Sequence, residues 1–124
     1  MAGTLLPNAL ATIRKVKREM AVFATSTVAA VTPIDTGQAK SNWFVQENIP
    51  ANQVLQFGPV ERVSATTAEA TSQARADALP EAPAGDIYIS NHLDYIADLE
   101  NGSSSQAPGG MLAVTHAAVL AKGR

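Results

Sequence analysis

Apolar residues recur at helical spacing through the first third of the chain and predict one long amphipathic helix over residues 8–31. Asn8 is a suitable N-cap, and Pro33 should end the helix near residue 31 because a proline restricts the residue before it. The predicted core-facing stripe consists of Leu10, Ile13, Val16, Met20, Phe23 or Ala24, Val28 and Val31.

Basic side chains gather mostly off this stripe, at Arg14, Lys15, Lys17 and Arg18. The formal net charge of the chain is −2, and most of its acidic residues come after residue 40. Taken alone, the cluster is typical of a basic helix face that is exposed to solvent. The uneven division of charge also favours head-to-tail packing of identical subunits, in which a basic end meets an acidic end.

Alternating apolar and polar residues predict strands after a turn at residues 32–37. The first strand covers residues 40–47, with Trp43 and Val45 on one face, and the second covers residues 53–57. The short connection between them predicts a hairpin. A third strand is predicted where two isoleucines alternate with other residues, at Ile87, Tyr88, Ile89 and Ser90.

The rest of the chain predicts three more helices. Ser64 is a suitable cap for an alanine-rich helix over residues 64–79, but its weak apolar face leaves a mobile loop as the alternative. The others are a short helix over residues 92–99, with Asn91 as cap and Gly102 as terminating glycine, and a helix over residues 111–121 with Met111, Val114, Ala118 and Ala121 on one side.

This order of elements indicates a single α+β domain over residues 1–124, with residues 60–84 as a candidate mobile insertion. We expect a small antiparallel sheet of three to four strands, packed against the long N-terminal helix and the C-terminal helix. Aromatic residues make up only 5% of the chain, so the core should bury a modest area. A small domain with a thin core is often completed by neighbours in an oligomer.

Several classes of function find little support in the sequence. The absence of cysteine excludes disulfides, thiolate metal sites and cysteine nucleophiles. We expect no membrane span and no signal peptide, since no apolar run approaches the roughly 20 residues needed to cross a bilayer and the basic cluster follows the first apolar residues. His92 and Asp94 lie two positions apart and do not share a helix face, so the acidic residues near them, Asp98 and Glu100, are better explained as solvated.

The sequence therefore predicts no enzyme and no metal or other cofactor, and it leaves a small nucleic-acid-binding or metal-dependent protein as the weaker alternative. A polar loop over residues 100–111, rich in Gly and Ser, carries no set of catalytic groups. A long loop without such chemistry usually presents its backbone to a partner. The loop thus points toward assembly.

Two groups of residues together resemble a known family. The first is the run Thr32-Pro33-Ile34-Asp35-Thr36-Gly37, shortly before Trp43. The second is Asn91, Tyr95, Leu99-Glu100-Asn101-Gly102, Ser104, Gln106-Ala107-Pro108 and Gly110-Met111. In order and spacing they resemble the tail-completion, or neck, proteins of tailed bacteriophages. Gln38 stands where members of that family often have a basic residue, and Lys40 is the candidate substitute.

The resemblance implies a structural virion protein that is made in the host cytoplasm and forms a homo-oligomeric ring of six or twelve copies in the phage neck. The ring would join the head connector, or stopper, to the tail terminator or tail tube, and genomic DNA would pass through its lumen. No membrane is implied. The alternative is the tail terminator itself, a ring protein that caps the tail tube.

The matched residues suggest physical roles. Asp35, Thr36 and Gly37 would fix the turn. Trp43 is predicted to lie in the core, with a subunit seam as the alternative, and Tyr95 is suited to the edge of the core or of a seam. The Glu100 carboxylate, at the unfavourable end of a helix dipole, needs either backbone N–H groups or a cation, for which Arg14, Lys17 or Arg18 of a neighbouring copy are candidates. The remaining residues would end a helix or present loop backbone: Gly102, Gln106, Pro108 and Met111.

Overall fold

The computed structural model describes residues 2–107 and 109–123, with side chains from Pro7 onward. The helices are α1 (Ala2–Val31), α2 (Ala65–Asp77), α3 (Ile96–Glu100) and α4 (Leu112–Lys122), with one turn of 3-10 helix over Lys40–Asn42. Strands β1 (Phe44–Glu47) and β2 (Ile87–Ser90) form an antiparallel sheet. The expected combination of helices and an antiparallel sheet is confirmed. The expected number of strands is wrong, because the described residues form two strands and not three to four.

α1 begins earlier than the sequence indicates. It starts at Ala2, so Pro7 lies inside the helix, and Asn8 is a helical residue and not the N-cap. A proline removes one backbone N–H from the helical hydrogen bonds, and the remaining bonds sustain the helix. The other end agrees with the prediction, since α1 stops at Val31, two residues before Pro33.

The predicted hairpin is wrong, because β1 pairs with β2 and residues 53–57 form no strand. The physical reason is a side chain that takes the place of a backbone partner. Asn42 Oδ1 accepts from the N–H of Leu55 at 2.7 Å, and Asn42 Nδ2 donates to the C=O of Leu55 at 3.0 Å. The 3-10 turn that contains Asn42 also makes the strand start at Phe44, later than predicted.

α2 packs against α1, the 3-10 turn and β1. Ser64 caps it as predicted, with its hydroxyl accepting from the N–H of Thr67 at 3.1 Å. The buried residues of α2 are small and four positions apart, Ala68, Ser72 and Ala76, which lets the helix approach closely. Small contact residues explain the weak apolar pattern. The mobility of residues 60–84 before assembly stays a prediction.

The core lies where α1, the sheet and the start of α4 meet. Its buried members are Val28, Ala29, Trp43, Ala107 and Met111. α4 packs along α1 and reaches this cluster at its N-terminal end, so the expectation that it covers the sheet is corrected.

Two predicted details near the C-terminal end also need correction. α3 begins at Ile96, because Asn91 caps the turn before it, where its Oδ1 accepts from the N–H of Leu93 at 3.2 Å. In α4 the buried residue is Thr115, while Val114 is exposed. Of the predicted inner face, Met111 is buried and Ala118 is partly buried, whereas Val114 and Ala121 are exposed.

Candidate functional site

The turn after α1 and the loop before α4 lie side by side and are joined by Gln106. The side-chain Oε1 of Gln106 accepts from the N–H of Ile34 at 2.9 Å, and its Nε2 donates to the C=O of Ile34 at 3.0 Å. One amide thus binds both peptide groups of Ile34, as a neighbouring strand would. No local sequence pattern indicates this contact, because Ile34 and Gln106 are far apart in the chain. Pro108, in the same loop, lies outside the described residues.

Thr36 and Gly37 shape the turn, whereas Asp35 does not cap it. The Thr36 hydroxyl accepts from the N–H of Gln38 at 3.2 Å. Gly37 has a φ of +92°, and a Cβ there would lie 2.6 Å from a methyl carbon of Val63, so the position requires glycine. The Asp35 carboxylate is 93% exposed and lies 3.5 Å from the Arg62 guanidinium. Its predicted capping role is filled by Thr36.

Lys40 closes the C-terminal end of α1. Its ammonium group donates to the C=O of Ala29 at 2.9 Å and of Ala30 at 3.0 Å, and it lies 3.9 Å from the Glu69 carboxylate. Burial lowers the pKa of Lys40, and the Glu69 carboxylate partly offsets that shift. A cation is favourable at a helix C-terminus. A lysine soon after the turn that ends α1 was the sequence signal for this contact.

Glu100 binds backbone N–H groups, which is one of the two alternatives that the sequence left open. Its carboxylate accepts from the N–H of Met111 at 2.8 Å, of Leu112 at 2.6 Å and of Ala113 at 3.2 Å. These groups form the N-terminal end of α4, where a negative charge is favoured. Glu100 therefore acts as a distant cap for α4 within its own chain.

Two glycines allow this arrangement. Gly102 has a φ of +86° and ends α3, with its N–H donating to the C=O of Leu99 at 3.1 Å. Gly110 has a φ of +84°, and a Cβ there would lie 2.5 Å from the C=O oxygen of Glu100. The loop can therefore close over Glu100 only if residue 110 lacks a side chain.

Trp43 and Met111 lie in the core, which for Trp43 is the alternative that the sequence favoured. They are 2% and 0% exposed. The indole Nε1 of Trp43 donates to the hydroxyl of Thr32 at 2.9 Å. Trp43 thereby connects the end of α1 to the sheet.

Three basic residues of α1 bind the C-terminal end of α2 or the segment that follows it. Lys17 donates to the C=O of Gly85 at 2.6 Å, and Arg18 donates to the C=O of Asp77 at 2.8 Å. Lys15 lies 3.6 Å from the exposed Glu81 carboxylate. The structure thus gives three of the four basic residues an intramolecular role, which explains them without a neighbouring Glu100. Arg14, the fourth, is half-buried.

An open cavity of about 430 Å³ separates the turn from the loop. Tyr95 lies at its edge and is 40% exposed. Burial and the nearby Asp35 carboxylate both raise the pKa of Tyr95. The lining of the cavity also includes Gly37, Leu99, Ser104 and Gln106.

We expect the phenol of Tyr95 to ionise above the usual pH of about 10, because burial and Asp35 both disfavour the phenolate. Ultraviolet titration of Tyr88→Phe, which leaves Tyr95 as the only tyrosine, measures its pKa directly. Adding Asp35→Asn should lower this pKa but leave it raised, because burial, the larger cause, remains. A Tyr95 that titrates at or below the usual value would contradict this geometry.

Replacing Gln106 with alanine should lower the free energy of unfolding by about 1–2 kcal/mol, because both hydrogen bonds to Ile34 are lost. Urea denaturation measures the loss, and hydrogen exchange at the Ile34 amide should become faster. The matched control is Gln53→Ala at an exposed glutamine. Equal stability of the two variants would show that the contact with Ile34 contributes nothing.

Large apolar side chains remain exposed on two helices. On α1 they are Leu10, Ile13 and Val16, which we call the α1 stripe. On α4 they are Leu112 and Leu120, which we call the α4 face, and Val114, which lies two positions from Leu112 and therefore on another side of the helix. The sequence predicted that the α1 stripe faces the core, and the structure corrects this. The contacts from the segment after α2 begin at Lys15, and the α1 stripe stays exposed beside them.

The described part of the chain offers no group of three or more His, Cys, Asp or Glu side chains suited to a metal ion. Within the same residues, no helix has both the length and the apolar character to cross a membrane. Comparisons with protein-family models, with curated proteins and with solved structures found no match.

Proposed function

We propose that this chain is a structural protein that assembles with copies of itself into a ring of six or twelve in the neck of a tailed bacteriophage. The ring joins the head connector to the tail, and DNA passes through its lumen. The observation that supports assembly is the exposure of large apolar side chains on two helices, the α1 stripe and the α4 face. Contiguous exposed apolar surface commonly marks a site of protein–protein contact. The place in a phage neck rests on the resemblance of the two matched groups of residues.

Two different surfaces on one chain suit a ring. When one surface of a subunit binds a different surface of the next, the contact repeats, and it closes into a ring if the rotation allows. Two polar residues of the matched segments support assembly by making the single chain rigid. Gln106 and Glu100 form hydrogen bonds within the chain, so they stiffen the framework that carries the apolar surfaces.

The proposal does not require the basic residues of α1 to contact DNA. Lys15, Lys17 and Arg18 already bind groups within the chain. A lumen only needs to let DNA pass, and the net charge of −2 gives little non-specific attraction to a polyanion.

Replacing Ile13 with glutamate should lower the assembled fraction about tenfold or more, because a buried unpaired charge costs more than about 1.4 kcal/mol. Ile13 is 63% exposed, so the single chain should fold normally, with an unchanged circular dichroism spectrum. The measurement is mass photometry of the protein alone and with isolated phage tails. The control is Ser26→Glu, which adds the same charge at an exposed polar position of the same helix.

Assembly that Ile13→Glu and Ser26→Glu affect equally would argue against the α1 stripe as a contact surface. Assembly onto tails alone, with no affinity for the connector, would favour the tail terminator over the neck.

A further inference from the structure

The outer edge of β2 has no partner in the described part of the chain. The N–H of Asn48 donates to the C=O of Asp86 at 2.8 Å, which makes that pair a hydrogen-bonded pair of the antiparallel ladder. Hydrogen-bonded and non-hydrogen-bonded pairs alternate along an antiparallel ladder. The N–H and C=O of Tyr88 therefore point toward β1, and those of Ile87 and Ile89 point away from it. The N–H and C=O groups of Ile87 and Ile89 therefore form an open edge.

The outer edge of β1, by contrast, has α2 packed beside its start. By the same alternation, the peptide groups of Trp43 point outward from β1. The N–H of Trp43 donates to the Ser72 hydroxyl at 3.2 Å, and its C=O accepts from the Arg75 guanidinium at 2.8 Å. The Arg75 guanidinium also stacks over the ring of Phe44, 3.7 Å from its centroid. α2 thus packs beside the start of β1, whereas among the described residues no group pairs with the outward peptide groups of Ile87 and Ile89 in β2.

A groove runs along this open edge, between β2 and α1. Its volume is about 460 Å³. The wall from α1 consists of Lys17, Met20 and Ala21, and the wall from β2 consists of Asp86, Ile87, Tyr88 and Ile89. A groove with a free strand edge on one side and a helix on the other is the kind of site that accepts an extended segment by strand addition.

The same chain carries a segment that suits this groove. Residues 53–57 have a strand-like sequence but no strand partner, and Val54 and Leu55 are 41% and 40% exposed. In their own chain they cannot use the groove, because Asn42 holds Leu55 and because Val54 lines a different cavity, beside His92 and Leu93.

The contact with Asn42 also orients the segment. Asn42 binds both peptide groups of Leu55 on one side. When these residues are extended as a strand, the peptide groups of Val54 and Gln56 point to the opposite side. Val54 and Gln56 are two positions apart, as are Ile87 and Ile89. Antiparallel pairing of Val54 with Ile89 and of Gln56 with Ile87 would satisfy all of these groups.

We propose that residues 53–57 of one copy add a strand to the open edge of β2 in the next copy, in the groove between β2 and α1. This inference rests on the proposed ring and names one contact that would build it. It uses two different surfaces, as a closed ring requires. It also accounts for the strand that the sequence predicts at residues 53–57, which a single copy does not form.

Cysteine pairing tests the contact, since the natural chain has no cysteine. In the proposed register Leu55 faces Tyr88 as a non-hydrogen-bonded pair, whose Cβ atoms are close enough for a disulfide. Leu55→Cys and Tyr88→Cys should each remain uncrosslinked alone and form a covalent dimer when mixed. The double variant should form a ladder up to the whole ring. A control that pairs Val60→Cys, at a residue 91% exposed, with Tyr88→Cys should not crosslink.

A proline pair gives a second test. Gln56→Pro removes an N–H that the proposed strand donates, whereas Gln53→Pro removes one from the other side of the same segment. Gln56→Pro should lower the assembled fraction about tenfold relative to Gln53→Pro, with equal thermal stability of the single chains.

The outcomes separate the two proposals. A ring that forms without the Leu55–Tyr88 crosslink and tolerates Gln56→Pro would overturn the strand addition and leave the proposed function standing. Crosslinking of Tyr88→Cys with itself would indicate that two β2 strands pair with each other, and it would also overturn the proposed addition of residues 53–57. A chain that stays monomeric both alone and with isolated tails would overturn both proposals.

Discussion

Replacing Trp43 with alanine should lower the free energy of unfolding by about 3–5 kcal/mol, the largest effect we expect from any single substitution. Trp43 is 2% exposed and packs with Val28 and Met111 in the buried cluster. Its indole N–H also binds the hydroxyl of Thr32. The substitution therefore opens a cavity between α1 and the sheet and removes a buried hydrogen bond.

Urea denaturation followed by circular dichroism is the right measurement, because Trp43 is the only tryptophan and its fluorescence is lost. The control is Trp43→Phe, which keeps an aromatic ring but loses the N–H, and should cost clearly less than the alanine variant. A loss below about 1 kcal/mol for Trp43→Ala would contradict a core position and point to a place at a subunit seam.

Replacing Glu100 with alanine should lower the free energy of unfolding by about 2–3 kcal/mol. The carboxylate accepts from three backbone N–H groups at the start of α4, and Met111, the first of them, is fully buried. Without the carboxylate these donors lose their partner and the helix dipole loses a favourable charge. Hydrogen exchange at residues 111–113 should become faster along with the loss of stability.

The matched control is Asp98→Ala, which removes an exposed carboxylate from the same helix and should change stability by no more than about 0.5 kcal/mol. Because the Glu100 contacts are within one chain, its effect should not depend on protein concentration. An effect that appears only in assembled protein would support an ion pair between Glu100 and a neighbouring copy, and it would contradict the intramolecular cap.

Features that depend on local chemistry could be predicted from the sequence. Pro33 fixed the end of α1, Ser64 identified the start of α2, and the alternation of residues 87–90 identified β2. Gly102 ended α3 where expected because that position needs a positive φ. Each of these signals lies within a few residues of the feature that it determines.

Contacts between distant residues could not be predicted in the same way. Residues 53–57 have the pattern of a strand, but the Asn42 side chain takes the place of a strand partner. The sequence likewise identified Gln106 without its partner, Ile34. Side-chain amides and carboxylates can satisfy a backbone group anywhere in the fold, so their partners are not encoded in local spacing.

The apolar pattern of α1 shows a different limit. Periodicity predicts which face of a helix should be covered, but it does not say what covers it. Leu10, Ile13 and Val16 continue the stripe that Val28 begins in the core, yet they are exposed in the single chain. The unfilled part of the pattern is the part that the proposed ring would cover.

The most direct test of the proposed ring is a native mass measurement of the purified protein, alone and then mixed with isolated phage tails and neck connectors. The proposal predicts a discrete assembly of six or twelve copies, formed either by the protein alone or on the tail or connector. A chain that stays monomeric in every mixture, and that binds metal or nucleic acid instead, would contradict it.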